Sequence, residues 1–135
     1  MINKNDLNDY FISGIKHKKN LKIGVEHEKF ILDKDTLLPR NYDEINGVRD
    51  ILEKLSNVGW TPAYDDNQKT IAALTKDRES ITLEPGGQIE LSGAPLDNIH
   101  ETCEETTNHL RELKKIGEEF NFILLGMGVD PNLTL

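Results

Sequence analysis

The sequence is poor in cysteine and contains no long apolar run. Its single cysteine, Cys103, excludes an internal disulfide and any metal site built from several cysteines. No stretch reaches the roughly 18 consecutive apolar residues of a membrane-spanning helix, so no membrane association is expected. The first ten residues, MINKNDLNDY, are polar and partly acidic, unlike a signal or transit peptide, which favours a cytoplasmic location.

Positive charge is scarce relative to negative charge. The chain has 16 Lys and Arg against 24 Asp and Glu, which gives a net charge of −8. That sign predicts no binding to nucleic acid or to an anionic membrane. It does not exclude ATP, because a bound Mg²⁺ bridges phosphates and carboxylates. The length of 135 residues fits one domain, residues 1–135, with a modest core.

The central feature of the sequence is a predicted β-hairpin at residues 80–95, SITLEPGGQIELSGAP. The Pro-Gly-Gly at 85–87 indicates the turn, because glycine adopts positive φ without steric cost. Side chains alternate across a strand, so residues 80–84 and 88–92 each have one apolar and one polar face. The polar faces carry Thr82, Glu84, Gln88, Glu90 and Ser92.

A second strand with one acidic face is predicted at residues 23–32, IGVEHEKFIL. Glu26 and Glu28 share a face with Cα atoms roughly 6.5–7 Å apart, and two carboxylates at about 7 Å repel by about 2 kcal/mol. If Glu84 and Glu90 face the same space, the cluster needs solvent, protons or cations. Oxygen-only ligands favour Mg²⁺ or Mn²⁺ over zinc. Spacing alone leaves a solvated outer face and a metal–nucleotide site as alternatives.

The remaining pattern predicts an α+β protein with a mainly antiparallel sheet and flanking helices. Helices are expected at residues 3–18, at 44–58 with Asp43 as its cap, and at 98–120 with Asp97 as its cap. Further strands are expected at residues 60–65, 70–76 and 122–125.

Several single residues carry their own expectations. Ile45 and Cys103 lie on apolar helical stripes, which predicts that both are buried. His27 lies between the two glutamates and points to the opposite strand face, as an interlayer histidine would. His100 and His109 are about two and a half helical turns apart, so they cannot share one metal.

Four segments resemble glutamate–cysteine ligase of the plant and proteobacterial type. They are EHEKF at 26–30, LEPGGQIELSGAP at 83–95, HETCEETTNH at 100–109 and GMGVDP at 126–131. The resemblance spans roughly residues 21–131. It implies the funnel-shaped, glutamine-synthetase-like fold and ATP-dependent joining of the γ-carboxylate of L-glutamate to L-cysteine. The product is γ-glutamylcysteine, formed through a γ-glutamyl phosphate in the first step of glutathione biosynthesis.

The resemblance also implies residue roles. Glu26 and Glu28 match the acidic pair that holds metal and approaches ATP, and Glu84 and Glu90 match the positions that complete the metal cluster. Catalysis is thereby expected of Glu26, Glu28 and Glu90. Contacts with substrate or phosphate are expected of Gln88 and Arg78.

Members of this family run to several hundred residues. The chain is therefore expected to be an N-terminal portion that needs its missing C-terminal portion and is weak or inactive alone. Two alternatives stay open. One is a ligase of the same fold that joins another amine to a carboxylate, and the other is an inactive, truncated fragment that binds Mg²⁺ and nucleotide.

Overall fold

The computed structural model describes residues 2–67 and 69–130, which form an α+β fold. Pro131, the last residue of the GMGVDP match, lies outside the described residues. In chain order the elements are α1 (Lys4–Ser13), a 3₁₀ turn (Lys18–Asn20), β1 (Glu26–Asp33), α2 (Val48–Ser56), β2 (Thr61–Tyr64), β3 (Ile71–Lys76), β4 (Glu79–Glu84), β5 (Gln88–Ser92), α3 (Ile99–Phe120) and β6 (Phe122–Leu125).

The six strands form one antiparallel sheet in the order β2-β3-β4-β5-β1-β6. The predicted hairpin is confirmed as β4 and β5. Gly86 and Gly87 at its turn have φ values of 89° and 78°, where only glycine is free of strain. The predicted α+β class with an antiparallel sheet and flanking helices is therefore confirmed.

Strand β1 has different neighbours along its two halves. Residues 26–29 pair with β5, and residues 30–33 pair with β6. Each half of β1 is therefore bordered by a named strand on one side only. The half that carries Glu26 and Glu28 is the one joined to the hairpin.

The core lies between one face of the sheet and helices α2 and α3. Its members are aliphatic and aromatic side chains at strand positions of one parity and on one stripe of each helix. They include Ile51, Leu52, Leu55, Leu74, Ile81, Ile89, Leu91, Leu113 and Phe122. The opposite sheet face, at the middle of β1, β4 and β5, carries the polar side chains.

The second helix starts later than the pattern predicts. It begins at Val48, not at residue 44, and Ile45 is 87% exposed, so its predicted burial is wrong. The carbonyls of Asn41 and Tyr42 accept the first helical N–H groups at 3.1 Å. Backbone acceptors thereby replace the predicted side-chain cap, and Asp43 instead pairs with Arg49.

The other two helices also depart from their predicted ends. Helix α1 stops at Ser13 rather than at residue 18, and it has no buried residue. Helix α3 begins at Ile99 and is capped by Asn98, whose side-chain oxygen accepts two backbone N–H groups. Asp97, predicted as the cap, pairs with Lys22 instead.

Cys103 is exposed, so its predicted burial is wrong. The buried stripe of α3 runs through Thr102, His109 and Leu113. Cys103 follows Thr102 and is therefore turned about 100° away from that stripe. The loose apolar pattern around Cys103 could not separate these two faces.

Candidate functional site

Strand pairing brings the predicted acidic residues to one face of the sheet. Glu28 lies opposite Glu90 in the β1–β5 register, and Glu26 lies opposite Ser92. In the β4–β5 hairpin, Thr82 lies opposite Glu90 and Glu84 lies opposite Gln88. We call the set Glu26, Glu28, Glu84, Gln88 and Glu90 the acidic face.

The members of the acidic face differ in their exposure. Glu26 and Glu28 are exposed, and Glu84 is half-buried. Glu90 and Gln88 retain only 7% and 5% of their accessible surface. A nearly buried carboxylate between exposed ones is unusual, since burying a charge is costly unless it is paired or hydrogen-bonded.

Hydrogen bonds hold the two buried members. The hydroxyl of Ser92 donates to Glu90 Oε1 at 2.8 Å. The amide Nε2 of Gln88 donates to Glu28 Oε2 at 3.1 Å and to the backbone carbonyl of Met127 at 3.4 Å. Because both donor directions of the Gln88 amide are used, its Oε1 is the atom left to accept from a ligand.

The carboxyl groups of the acidic face interact electrostatically. A hydrogen bond between the Glu84 and Glu90 carboxyls, followed by burial and the negative charges of Glu90, Glu28 and Glu26, raises the pKa of Glu84 above its ordinary value. Two carboxyls can share a hydrogen bond only if one of them holds the proton. The neighbouring acidic groups therefore disfavour the ionised form of Glu84.

An open groove borders the acidic face. Its volume is about 350 Å³, and it lies between residues 26–29 of β1 and residues 126–128. The carbonyl of Met127 on its far wall is the acceptor for Gln88. Sequence patterns did not reveal this contact, because a backbone carbonyl that meets a side chain 39 residues away leaves no local signal.

Arg78 lies away from the other predicted site residues. It is exposed on the turn between β3 and β4, next to Asp77, which has a positive φ of 51°. Six residues of strand separate it from Glu84, or roughly 20 Å at about 3.3 Å per residue. The structure therefore groups Glu84, Gln88 and Glu90 without Arg78, and its contact with substrate or phosphate stays a prediction.

The inner face of β1 carries polar residues that sequence analysis identified only in part. The predicted interlayer position of His27 is confirmed, since its Nε2 lies 3.3 Å from the hydroxyl of Thr106 on α3. Lys29 Nζ lies 3.3 Å from His27 Nδ1, and burial lowers the pKa of Lys29. The inward position of Lys29 could have been predicted from the alternation of side chains along the strand, because Lys29 must face the helices if Glu28 faces outward.

A metal ion needs ligands that converge more closely than the acidic face does. Within residues 2–67 and 69–130, no three His, Cys, Asp or Glu side chains are placed to hold one ion. The negative charges of Glu90, Glu28 and Glu26 each raise the pKa of Glu84. The four-residue metal site therefore stays a prediction.

Comparison with known proteins decides the family. Residues 22–135 match the model of glutamate-cysteine ligase family 2 (GCS2). The chain belongs to this family. It is 45% identical over 135 residues to glutamate–cysteine ligase B, chloroplastic, of Oryza sativa subsp. japonica, covering 99% of this chain and 26% of that protein. It is 40% identical over 134 residues to the chloroplastic glutamate–cysteine ligase of Arabidopsis thaliana, covering 96% of this chain and 24% of that protein.

The resemblance seen in the four sequence segments is thereby confirmed. The chain spans about a quarter of the length of the curated relatives it matches. The cytoplasmic location expected from the N-terminal residues is contradicted, because these relatives are named as chloroplastic enzymes. Across the described residues, no helix is both long and apolar enough to cross a membrane.

Proposed function

We propose that this chain is the N-terminal part of an ATP-dependent glutamate–cysteine ligase that joins L-glutamate and L-cysteine into γ-glutamylcysteine. Membership of the family supports the reaction. The observation that carries the proposal is the acidic face, where Glu28 lies opposite Glu90 and Glu84 lies opposite Gln88. This reaction is the first step of glutathione biosynthesis.

The sheet is proposed to be one part of a larger, funnel-shaped sheet of the glutamine-synthetase type. Its outer strands, β2 and β6, have only four residues each and pair with one named neighbour. Strand edges with unpaired backbone groups accept further strands. The additional strands would come from the remainder of a chain as long as the relatives.

The donor chemistry of the acidic face fits Mg²⁺ or Mn²⁺. Glu28, Glu84 and Glu90, with Glu26 beside them, offer only carboxylate oxygens, which hard divalent cations prefer. The raised pKa of Glu84 marks an excess of negative charge that a cation would relieve. Because no three of these groups converge in the described residues, further ligands must come from water, from phosphate or from the rest of a longer chain. When bound, the cation would neutralise the charge of the transferred phosphoryl group.

The residues of this chain would then bind and orient the reactants. A bound cation would favour the ionised form of Glu84, whose carboxylate would then serve as an oxygen ligand beside that of Glu90. Gln88 is fixed by Glu28 and Met127, and its free Oε1 is suited to accept from the ammonium group of an amino acid. Arg78 lies on the exposed turn between β3 and β4, so a phosphate that it contacts would have to lie at that turn. The proposed intermediate is γ-glutamyl phosphate, whose carbonyl the cysteine amine attacks with release of phosphate.

The first experiment tests the reaction with two proteins. The complete product of the gene and the 135-residue chain are each supplied with ATP, L-glutamate, L-cysteine and Mg²⁺, and γ-glutamylcysteine and ADP are quantified. The complete protein should form γ-glutamylcysteine and ADP in equal amounts. The 135-residue chain alone should be weak or inactive. An ordinary enzymatic rate for the 135-residue chain would contradict the dependence on further residues.

A variant pair tests the role of the acidic face. Glu90→Gln removes one charge while preserving size, and Glu53→Gln makes the same change on the exposed face of α2. Turnover of the complete product should fall by at least the roughly 10- to 100-fold that loss of a supporting group at a metal site costs. The Glu53→Gln control should be unaffected. Equal turnover in both variants would remove Glu90 from the mechanism.

The acidic face also supports a second function, which is the binding of a divalent cation and nucleotide without turnover. Mn²⁺ bound to the 135-residue chain should then broaden the NMR signals of residues on the acidic face, and Glu90→Gln should weaken that effect. A panel of amine acceptors given to the complete product tests the remaining alternative, a ligase that joins another amine to a carboxylate.

A further inference from the structure

A second polar cluster lies on the opposite side of the sheet from the acidic face. A partly open cavity of about 70 Å³ is lined by α3, by Trp60 and by the adjoining ends of β3 and β4. Helix α3 contributes Glu105, Asn108, His109 and Glu112 to its walls.

Both carboxylate oxygens of Glu112 have partners within the protein. Glu112 Oε2 accepts the indole N–H of Trp60 at 2.9 Å, and its other oxygen lies 3.5 Å from Lys76 Nζ. The Lys76 ammonium also lies 5.3 Å from the centre of the Trp60 ring. These contacts close one side of the cavity and leave Glu112 with partners on both oxygens.

Among the described residues, Glu105 is hydrogen-bonded through only one of its oxygens, and the His109 ring nitrogens have no hydrogen-bond partner. Glu105 Oε1 accepts the backbone N–H of Ala94 at 2.7 Å. Its Oε2 is buried with no hydrogen-bond partner among residues 2–67 and 69–130, and the same holds for both ring nitrogens of His109. The His109 side chain is also 97% buried, since only 3% of its surface is accessible.

The ring of His109 is neutral at ordinary pH. Burial, and then the charges of Lys29 and His27, lower the pKa of His109 to about 4. A neutral imidazole has one N–H donor and one acceptor nitrogen. A carboxylate oxygen needs a donor, so the two unpaired groups are complementary. They stand four residues apart on one helix face, yet no direct hydrogen bond joins them.

Leaving such groups unpaired is costly, because each has given up its hydrogen bonds to bulk water on burial. Buried polar atoms without a protein partner are characteristically paired with ordered water. A water needs roughly 10–15 Å³ of space for its centre, so a cavity of about 70 Å³ has room for ordered water. A metal ion is a poorer occupant, because no three suitable side chains converge within the described residues.

We propose that this cavity is an ordered-water site in which bound water links Glu105 Oε2 to a ring nitrogen of His109. The site is independent of the proposed ligase function. It ties α3 to the end of β5, because Glu105 binds Ala94 through one oxygen and the water through the other. The bound water thereby fixes the orientation of the Glu105 carboxylate.

The direct test is a high-resolution crystal structure of the protein at neutral pH. Water density within about 3.2 Å of both Glu105 Oε2 and a His109 nitrogen is expected. A dry cavity, or a direct hydrogen bond between the two side chains, would overturn the proposal.

Magnetic relaxation dispersion of water oxygen in solution gives an independent test. The wild-type protein should show long-lived internal water, and His109→Leu should lose at least one such molecule. His100→Leu, on the exposed side of the same helix, is the matched control and should lose none. If His109→Leu does not fold, His109→Gln takes its place, and the amide should retain at least one water. Unchanged internal hydration in His109→Leu would contradict the site.

Discussion

The carboxylate of Glu105 occupies the space that a Cβ atom on Gly93 would need. An ideal Cβ there would lie 2.2 Å from Glu105 Oε2 and 3.0 Å from the carbonyl of Val25. The N–H of Gly93 donates to that same carbonyl at 2.8 Å. The approach of α3 to the junction of β1 and β5 therefore depends on the absence of a side chain at position 93.

Gly93→Ala should destabilise the protein by about 1–3 kcal/mol, since an extra methyl group in a packed site forces side chains and backbone to shift. Urea unfolding monitored by Trp60 fluorescence measures the change. Gly24→Ala is the matched control, because a Cβ at Gly24 would make only an ordinary contact of 3.7 Å with the carbonyl of Gly93. Equal stability of the two variants would show that Glu105 moves aside freely.

Stability should fall as the pH drops below about 6.5, with His109 as one cause. The folded state holds the pKa of His109 near 4, so between about pH 6.5 and 4 the unfolded chain binds a proton that the folded chain does not. This difference lowers the free energy of unfolding by about 1.4 kcal/mol for each unit by which the pH falls in that window. The free energy of unfolding should therefore decline less steeply in His109→Gln than in the wild type. Parallel declines would mean that His109 protonates normally in the folded state.

Replacing Glu90 should lower the pKa of Glu84. Its raised pKa comes first from the hydrogen bond with the Glu90 carboxyl, and the Gln side chain of Glu90→Gln can instead donate to an ionised Glu84. Carbon-13 NMR titration of the glutamate carboxyls would follow the change, with Glu53→Gln as the control. A Glu84 titration that is the same in both variants would show that Glu90 is not its main partner.

Cys103 should react fully with a thiol reagent such as dithionitrobenzoate without any denaturant. Its side chain is exposed on α3, and the structure holds no other cysteine because the sequence has only one. One equivalent of released chromophore is expected from the native protein, and Cys103→Ser should release none. Reaction only after addition of urea would instead indicate a buried thiol.

The hairpin could be predicted in detail from the sequence. The Pro-Gly-Gly turn fixes where the chain reverses, and alternation then places Thr82, Glu84, Gln88 and Glu90 on one face. Both signals are local, so neither depends on the remainder of the chain. The register of the hairpin confirms the shared face, with Thr82 opposite Glu90 and Glu84 opposite Gln88.

The long-range parts could not be predicted in the same way. The pairing of Glu28 with Glu90 depends on register between strands that are 55 residues apart, which the loops and the core set together. The spacing of Ile45 predicts a helical position. The helix instead begins three residues later, where carbonyls of the preceding loop accept its first N–H groups. Neighbouring helical positions differ by a rotation of about 100°, which is enough to leave Cys103 exposed while Thr102 is buried.

The divided pairing of β1 has a consequence for motion. Residues 30–33 are held by β6, while residues 26–29 are held by β5 and face a groove on their other side. Glu26 and Glu28 thus stand on the half of the strand whose groove side has no named strand as partner among the described residues. The backbone amides of residues 26–29 that point toward this groove should exchange with solvent faster than the amides of residues 30–33 that bond to β6.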